Sequence, residues 1–541
     1  MSWIQRFHLG CRAVLGRPAA RLAYARVLVE DGEHRRAFRQ FARAARRGLP
    51  AAQFRLGRCY LLGLGTPSSP DAALRWLTCA AEGDDVDAQA LLASLALQGI
   101  SVDAEGGLLE AASRYAGRPP DYREVMKWGQ RAADGGSAEA QAMLGYILTS
   151  GPDELRDLPR AARYYRAAAD NGFARGQLGL ALALLRDGTG QIEAPQDAAS
   201  DDGASQDGAS QDGASRVGAS QDGASQDGAS QDGAPRDGAS VGEASRGRSA
   251  EVRRLLQSAA KADLPAAHFV LGVLDEQLCS SAGDLAAAAA HYHEAARRGH
   301  RAAQFRYGTA LMNGRGVERN TLTGETWLRR AGLAGDRDAA ALVGDLYARQ
   351  GELPPNFCEA AMWFQRAAEA GHVGAARALG QLCVSGGGFG SDPVTAAHWL
   401  RVAATEGDTL AAYELGICLS HGIGTPRDDV EALVWFRRAI DAMPEARFWC
   451  ARMLAEGRGT AQDLPAARAG YLLAAAEGIG DAAAAAGEML VNGRGGPADW
   501  PAAMALFRNA AARGNRAAQH ALKVLEPLGE ARASGGERVA A

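Results

Sequence analysis

Apolar and small residues recur along this chain at helical spacing, in short blocks separated by turn residues. Residues 51–83 show one complete block, AAQFRLGRCYLLGLGTPSSPDAALRWLTCAAEG. Its first half, Ala51 to Leu62, sets Leu56, Tyr60 and the small residues at i, i+3 and i+4, which predicts an amphipathic helix. Gly63, Gly65 and Pro67 then break the pattern. Ser69 followed by Pro70 predicts an N-cap and first turn for a second helix. That helix carries Trp76, Leu77, Ala80 and Ala81 and is expected to end at Gly83, a C-cap residue. Elsewhere the same start is built from Asn356 with Glu359, from Asp428 with Glu431, and from Asp392 with Pro393. The first two predict capping boxes.

The block repeats. Gly272, Gly308, Gly344, Gly380 and Gly416 lie 36 residues apart each time. Trp327, Trp363, Trp399, Trp435, Tyr471 and Phe507 keep the same spacing, and the glycine precedes the aromatic by 19, as in Gly57 and Trp76 or Gly145 and Tyr164. Two series in fixed phase predict an array of two-helix units. A mid-helix glycine costs about 0.8–1 kcal/mol relative to Ala. Its recurrence predicts a close approach of the second helix there, with the aromatic filling the space between one unit and the next. The expected fold is all-α, a right-handed α/α solenoid of about twelve repeats.

Composition agrees with this picture. Hydrophobic residues make up 47% of the 541, but mostly as Ala, and aromatics are only 6%. Such a chain suits helices packed closely across small side chains. The formal net charge of −4 excludes a general polyanion binder, and no nucleic acid is expected. Residues 1–60 depart from the average, with 13 Arg against Glu30, Asp31 and Glu33. Arg is also the default surface cation, since Lys127, Lys261 and Lys523 are the lysines of the whole chain, so a solvated basic face is the simpler reading. The eight cysteines, Cys11, Cys59, Cys79, Cys279, Cys358, Cys383, Cys418 and Cys450, form no CxxC pair, which argues against zinc and against a disulfide framework. No apolar run approaches the ~18 residues of a membrane span. Arg6 and His8 interrupt what would be a signal core, so a cytoplasmic location is expected.

The pattern A-x-x-x-L-G-x-x-Y-x-x-G-x-G, followed by A-x-x-W-F/Y-x-x-A-A-x-x-G, resembles the Sel1-like repeat, a relative of the tetratricopeptide repeat. Ala51–Gly83, Ala302–Gly335, Gly374–Gly407 and Leu410–Met443 carry it most clearly, and looser copies cover 137–172, 264–300, 337–371, 444–478 and 482–514. Residues 19–48 read as a first unit with a shortened loop and 516–526 as a closing helix. Some copies depart: Leu92-Ala93 and Cys450-Ala451 replace Leu-Gly, and His291 stands at the aromatic position. The disulfides of the family's cysteine-rich branch have no counterpart. The expected organisation is an N-terminal basic array over 1–190, a low-complexity linker over 191–250, a regular array with its closing helix over 251–526, and a tail over 527–541. The linker's five-residue cassette QDGAS, repeated from Asp201 to Ser240, holds no large apolar residue and is expected to stay disordered inside the loop of one repeat.

Three strings invite a catalytic reading. Gly238–Gly242 matches G-x-S-x-G but is expected in the disordered cassette, away from any strand. Ser258-Ala-Ala-Lys261 matches the S-x-x-K of penicillin-binding enzymes, with S-D-N and K-T-G absent. Gly386–Gly390 is a loose phosphate-loop match in an ordinary interhelix turn. His291 and His293, two apart on a helix, face different ways and predict no metal site. No enzyme, cofactor or metal is expected. What varies within the fixed frame is the residue after the landmark glycine: Arg58, Tyr146, Val273, Thr309, Asp345, Gln381, Ile417 and Glu488. In a stacked solenoid the first helices line a concave surface, so Arg58, Tyr146, Thr309, Asp345, Gln381 and Glu488 are the candidate binding residues. The resemblance implies a bacterial protein–protein scaffold or adaptor. An exported effector, an envelope regulator and a penicillin-binding hydrolase through Ser258 and Lys261 are the alternatives.

Overall fold

The structure is a computed structural model that describes residues 17–99, 119–189, 238–278, 281–349, 354–386 and 391–536. Among these residues the regular elements are helices, and no strand occurs. The chain forms two compact units, Met1–Ala303 and Gln304–Ala541. Helices of the first are α1 (Pro18–Glu30), α2 (His34–Ala45), α3 (Pro50–Leu62), α4 (Pro70–Glu82), α5 (Val86–Leu97), α6 (Tyr122–Asp134), α7 (Ala138–Ser150), α8 (Leu158–Asp170), α9 (Ala174–Thr189), α10 (Gly238–Lys261), α11 (Pro265–Gln277) and α12 (Ala282–Arg297). Next comes α13 (Arg301–Asn313), which spans the division. The second unit goes on with α14 (Thr321–Leu333), α15 (Arg337–Ala348), α16 (Phe357–Glu369), α17 (Val373–Ser385), α18 (Pro393–Thr405), α19 (Thr409–His421), α20 (Asp429–Ala439), α21 (Pro444–Glu456), α22 (Leu464–Ala476), α23 (Gly480–Val491), α24 (Trp500–Ala512) and α25 (Arg516–Gly536). Odd-numbered helices are the first, or A, helix of a repeat and even-numbered ones the second, or B, helix; α25 closes the stack. Within each unit this is the α/α solenoid that the sequence predicts.

Helix starts follow the expected chemistry. Ser69 Oγ accepts from the Ala72 N–H, Asn356 from the Glu359 N–H at 3.2 Å, and Asp428 from the Glu431 N–H at 2.9 Å. The two predicted capping boxes are only half made. The Glu359 and Glu431 carboxylates turn away from the cap and accept the indole N–H of Trp363 and Trp435, while also pairing with Arg329 and Arg401 of the preceding B helix. A carboxylate with a cationic fork in reach gains more there than from a neutral backbone N–H. A complete box is formed instead by Ser281 and Asp284. Gly83 caps its helix, but the left-handed residue is Asp84, with φ of 59°. Gly83 is needed for space, since a Cβ there would meet Pro50 at 2.8 Å.

The landmark glycines do admit a close approach of the second helix, as expected. A Cβ on Gly416 would lie 2.7 Å from the Phe436 ring, on Gly344 2.6 Å from Phe364, and on Gly308 2.9 Å from Leu328. The filler comes 20 residues after the glycine, one past the tryptophan, and the same holds for Gly57 with Leu77, Gly145 with Tyr165, Gly272 with Tyr292 and Gly380 with Leu400. One residue turns a helix by about 100°, so the tryptophan points elsewhere. Trp363 packs between Gly332 of the previous repeat and Ala340 of its own A helix, and Trp435 joins a cluster with Ala403 and Ala404, so the expected role between units holds for these tryptophans. Tyr471 and Phe507 are fillers: α21 starts 35 residues after α19, which shifts the phase by one. At His291 the repeat keeps its frame because Tyr292, next to it, occupies the space at Gly272.

The G-x-G turn joins one repeat to the last. Gly422 is the left-handed cap of α19, and Gly424, with φ of 69°, lies so near the backbone of Pro393 in the preceding B helix that any Cβ would collide with its carbonyl. Gly459 meets Asp429 in the same way.

Helices α9 and α10 pack as one repeat, so the long insert interrupts a loop and does not separate the compact units. Most of the cassette lies outside the described residues. Its end does not: the backbone is helical from Gly238, inside the expected linker, where Glu243, Ala244 and Arg246 replace the cassette with helix formers. Likewise α25 runs to Gly536, ten residues beyond the expected closing helix, through the helix-favouring segment Glu530-Ala531-Arg532-Ala533. Cys11, Cys279 and residues 387–390 also lie outside the described residues.

Candidate interaction surfaces

The A-helix positions after the landmark glycine fall into two kinds. Arg58, Tyr146 and Glu488 are exposed; the Arg58 guanidinium lies 5.9 Å from the Phe54 ring centroid. Thr309, Asp345 and Gln381 are half-buried and already engaged. The Thr309 hydroxyl donates to the Arg306 carbonyl at 2.8 Å, Asp345 pairs with Arg349 at 3.1 Å, and the Gln381 amide donates to Glu414 at 2.6 Å across to the next A helix. Burial holds the Glu414 carboxyl above its ordinary range, opposed by that hydrogen bond. Val273 and Ile417 are also half-buried. Each candidate occupies the same position of its own repeat, so none of them converges on a shared pocket within its unit.

A second surface escaped the sequence reading. On the B helices the residues five before, one before and three after the tryptophan position face outward. In α14 these are Leu322, Thr326 and Arg330; in α16, Cys358, Met362 and Arg366; in α20, Val430, Val434 and Arg438. All nine are exposed. In α2 the corresponding residues are Arg35, Arg39 and Arg43, exposed as well. The signal was present as a 36-residue column, but hydrophobic residues in a helix read as core until packing shows which face is covered.

One polar cluster sits in the first unit. Arg253 pairs with Asp275 at 2.8 Å, His291 lies 3.7 Å from Asp275, and the His268 and His291 Nδ1 atoms are 3.4 Å apart. Desolvation lowers both imidazole pKa values and favours the neutral rings. Tyr292 donates to Glu276 at 2.6 Å beside it. No serine or cysteine nucleophile is bonded to this group among the described residues. Ser258 and Lys261 are both exposed at the end of α10, with no hydrogen bond joining them. The Gly238–Gly242 backbone is helix, not the strand-to-helix turn of a nucleophile elbow. Gly386 is a left-handed cap of α17. The thiols of Cys59 and Cys450 are pushed up to about 11 by burial, far from thiolate at neutral pH. Among the described residues no group of three His, Cys, Asp or Glu side chains could hold a metal ion, and no helix is long and apolar enough to cross a membrane.

Comparison with known proteins places this architecture. The Sel1 repeat pattern matches residues 50–85, 112–137, 138–173, 265–300, 301–336, 337–372, 373–408, 409–442, 444–479 and 480–515. The chain belongs to the Sel1 repeat family. The pairs α1/α2 and α9/α10 fall outside these matches, and the structure adds them to the Sel1 array. Over 143 residues the chain is 32% identical to chitin synthase regulatory factor 3 of Schizosaccharomyces pombe, covering 26% of this chain and 14% of that protein. Over 154 residues it is 28% identical to DAP3-binding cell death enhancer 1 of Mus musculus, covering 28% of this chain and 27% of that one. The chain thus spans under a third of these curated relatives. Among solved structures it is similar to a protective antigen of uropathogenic Escherichia coli with an SLR fold, at 21% identity and a TM-score of 0.56, covering 91% of this chain and 90% of the antigen.

Proposed function

We propose that this Sel1 repeat chain is a non-catalytic scaffold that binds a protein partner along the A-helix face, the concave side of its stacked repeats. The observation that carries the reading is the contrast within one repeat. The small notch residue and its Leu, Tyr or Phe filler recur from copy to copy, while the next residue changes in size and charge and is open to solvent at Arg58, Tyr146 and Glu488. A surface that varies over a constant frame can read different groups of one ligand in succession. The names of two relatives, a regulatory factor and a binding enhancer, are in keeping with work done through protein contacts.

Affinity capture tests it. The wild-type chain is expected to retain one or a few stoichiometric partners that are lost when Arg58→Glu, Asp345→Lys and Glu488→Lys are combined, with the circular dichroism unchanged. Capture of nothing above background, or full retention by the variant, overturns the reading. A fluorescent penicillin is expected to leave Ser258 unlabelled, so that Ser258→Ala changes no signal.

A further inference from the structure

The outer B-helix face of the second unit is apolar where a solvated surface should be polar. Leu322 is 69% exposed, Val394 68% and Val430 62%, and exposed Cys358 completes their 36-residue column; Met362, 65% exposed, lies one turn further along α16. Single exposed aliphatics are ordinary, whereas an apolar column in register across four successive B helices is not. Arg330, Arg366 and Arg438 lie eight residues after Leu322, Cys358 and Val430, hence on the same helix face. Among the described residues none of these three makes an ion pair, although Arg329 next to Arg330, and Arg401 of α18, do so with Glu359 and Glu431. Arg330 and Arg438 are instead held over the Trp327 and Trp435 rings, at 4.7 and 4.5 Å from the centroids. The Arg329–Glu359 and Arg401–Glu431 bridges tie α14 to α16 and α18 to α20, which keeps the rows aligned.

We propose that this face of α14 to α20 docks an amphipathic helix of a protein partner, its apolar side on the Leu322–Val430 row and carboxylates along one edge on the arginine row. Packed helices lie roughly 8–10 Å apart. An incoming helix crossing them presents residues seven apart at about 10.5 Å, close to that step. The pinned, unpaired guanidinium forks suit carboxylates. A lipid surface fits less well, because the apolar rows hold no aromatic residue and no lysine, the usual interfacial anchors. The proposal rests on the protein-binding reading but uses a different face, so the two can fail separately.

A library of 20-residue helical segments displayed on phage, panned against the full chain, tests it. Expected winners carry apolar residues with a seven-residue repeat and an acidic edge. A synthetic winner should bind at least tenfold more weakly to the Val394→Asp, Val430→Asp double variant. It should also weaken on Arg366→Glu, Arg438→Glu, and recover there when its own carboxylates are replaced by lysines. The variant carrying Arg58→Glu, Asp345→Lys and Glu488→Lys should bind it as the wild type does. No winners, winners indifferent to both double variants, or loss of the winner with the A-face variant overturns the proposal. So does sedimentation with phosphatidylserine vesicles that the Val394→Asp, Val430→Asp change abolishes.

Discussion

The first repeat and the regular array of the second unit share a frame but treat arginine in opposite ways. In the array, arginines stitch repeats together: Arg377 to Asp408 at 3.0 Å, Arg458 to Asp429 at 2.6 Å, Arg447 to Glu477 and Arg401 to Glu431. On α2, Arg35, Arg39 and Arg43 stand four apart on one exposed face, and none meets a carboxylate among the described residues. Arg36 pairs with Glu33, and both are largely exposed. Like charges at i, i+4 repel, at about 0.2–0.5 kcal/mol per pair. Arginines therefore act as structure where they are paired and as a polar outer coat on this face of α2, where they are not.

The comparison breaks first if the frame is not shared. Phe41 and Phe436 occupy the same filler position and are 2% and 0% exposed, so Phe41→Ala and Phe436→Ala should each cost about 3–5 kcal/mol in urea unfolding. A loss under about 1 kcal/mol at Phe41 would mean that the first repeat lies outside the stacked core. Next in size is the stitching. Arg458 donates to the Ser420 carbonyl at 2.8 Å as well as to Asp429, so Arg458→Ala should cost about 1.5–3 kcal/mol, against under about 0.5 kcal/mol for Arg43→Ala. The first loss should depend on pH. Arg458 holds the Asp429 carboxyl below its usual range, so its stabilisation is present above that range and disappears as pH falls through the depressed value. Wild type and Arg458→Ala should converge in acid.

Glu414 has the opposite sign. Burial raises its carboxyl, so the folded state is favoured while Glu414 is protonated, and that advantage is lost as pH rises through the raised value. Glu414→Gln should therefore melt higher than wild type at pH 8 and equal to it near pH 4. A lower melting point at pH 8 would show that the charged form is the stabilising one. The smallest effect belongs to α2: Arg39→Gln should gain a few tenths of a kcal/mol at low salt and nothing at 0.5 M salt.

Much of this was legible beforehand. The A and B helices, their caps at Ser69, Asn356, Asp392 and Asp428, and the role of the glycines all follow from local chemistry, which acts over three or four residues. Which side chain enters the glycine notch was not legible, because Trp435 and Phe436 repeat with the same period, and a period cannot tell which of two adjacent side chains turns inward. The capping boxes were overstated because Glu431 finds Arg401, 30 residues away, a competitor that local reading does not contain. Exposure at the candidate positions was not legible residue by residue: Arg58, Tyr146 and Glu488 are open, while Gln381 is held by Glu414, again from a neighbouring repeat.

By itself the sequence determined the repeat, its number of copies and its membership in the Sel1 family, since these depend on spacing and on residue types that each helix needs on its own. Tertiary structure decided which side chain enters the glycine notch, which arginines are paired, and that the Leu322–Val430 row remains uncovered. Those outcomes depend on which neighbour a helix face meets, and an equal hydrophobicity at two positions of a helix is resolved only when one of them is packed away.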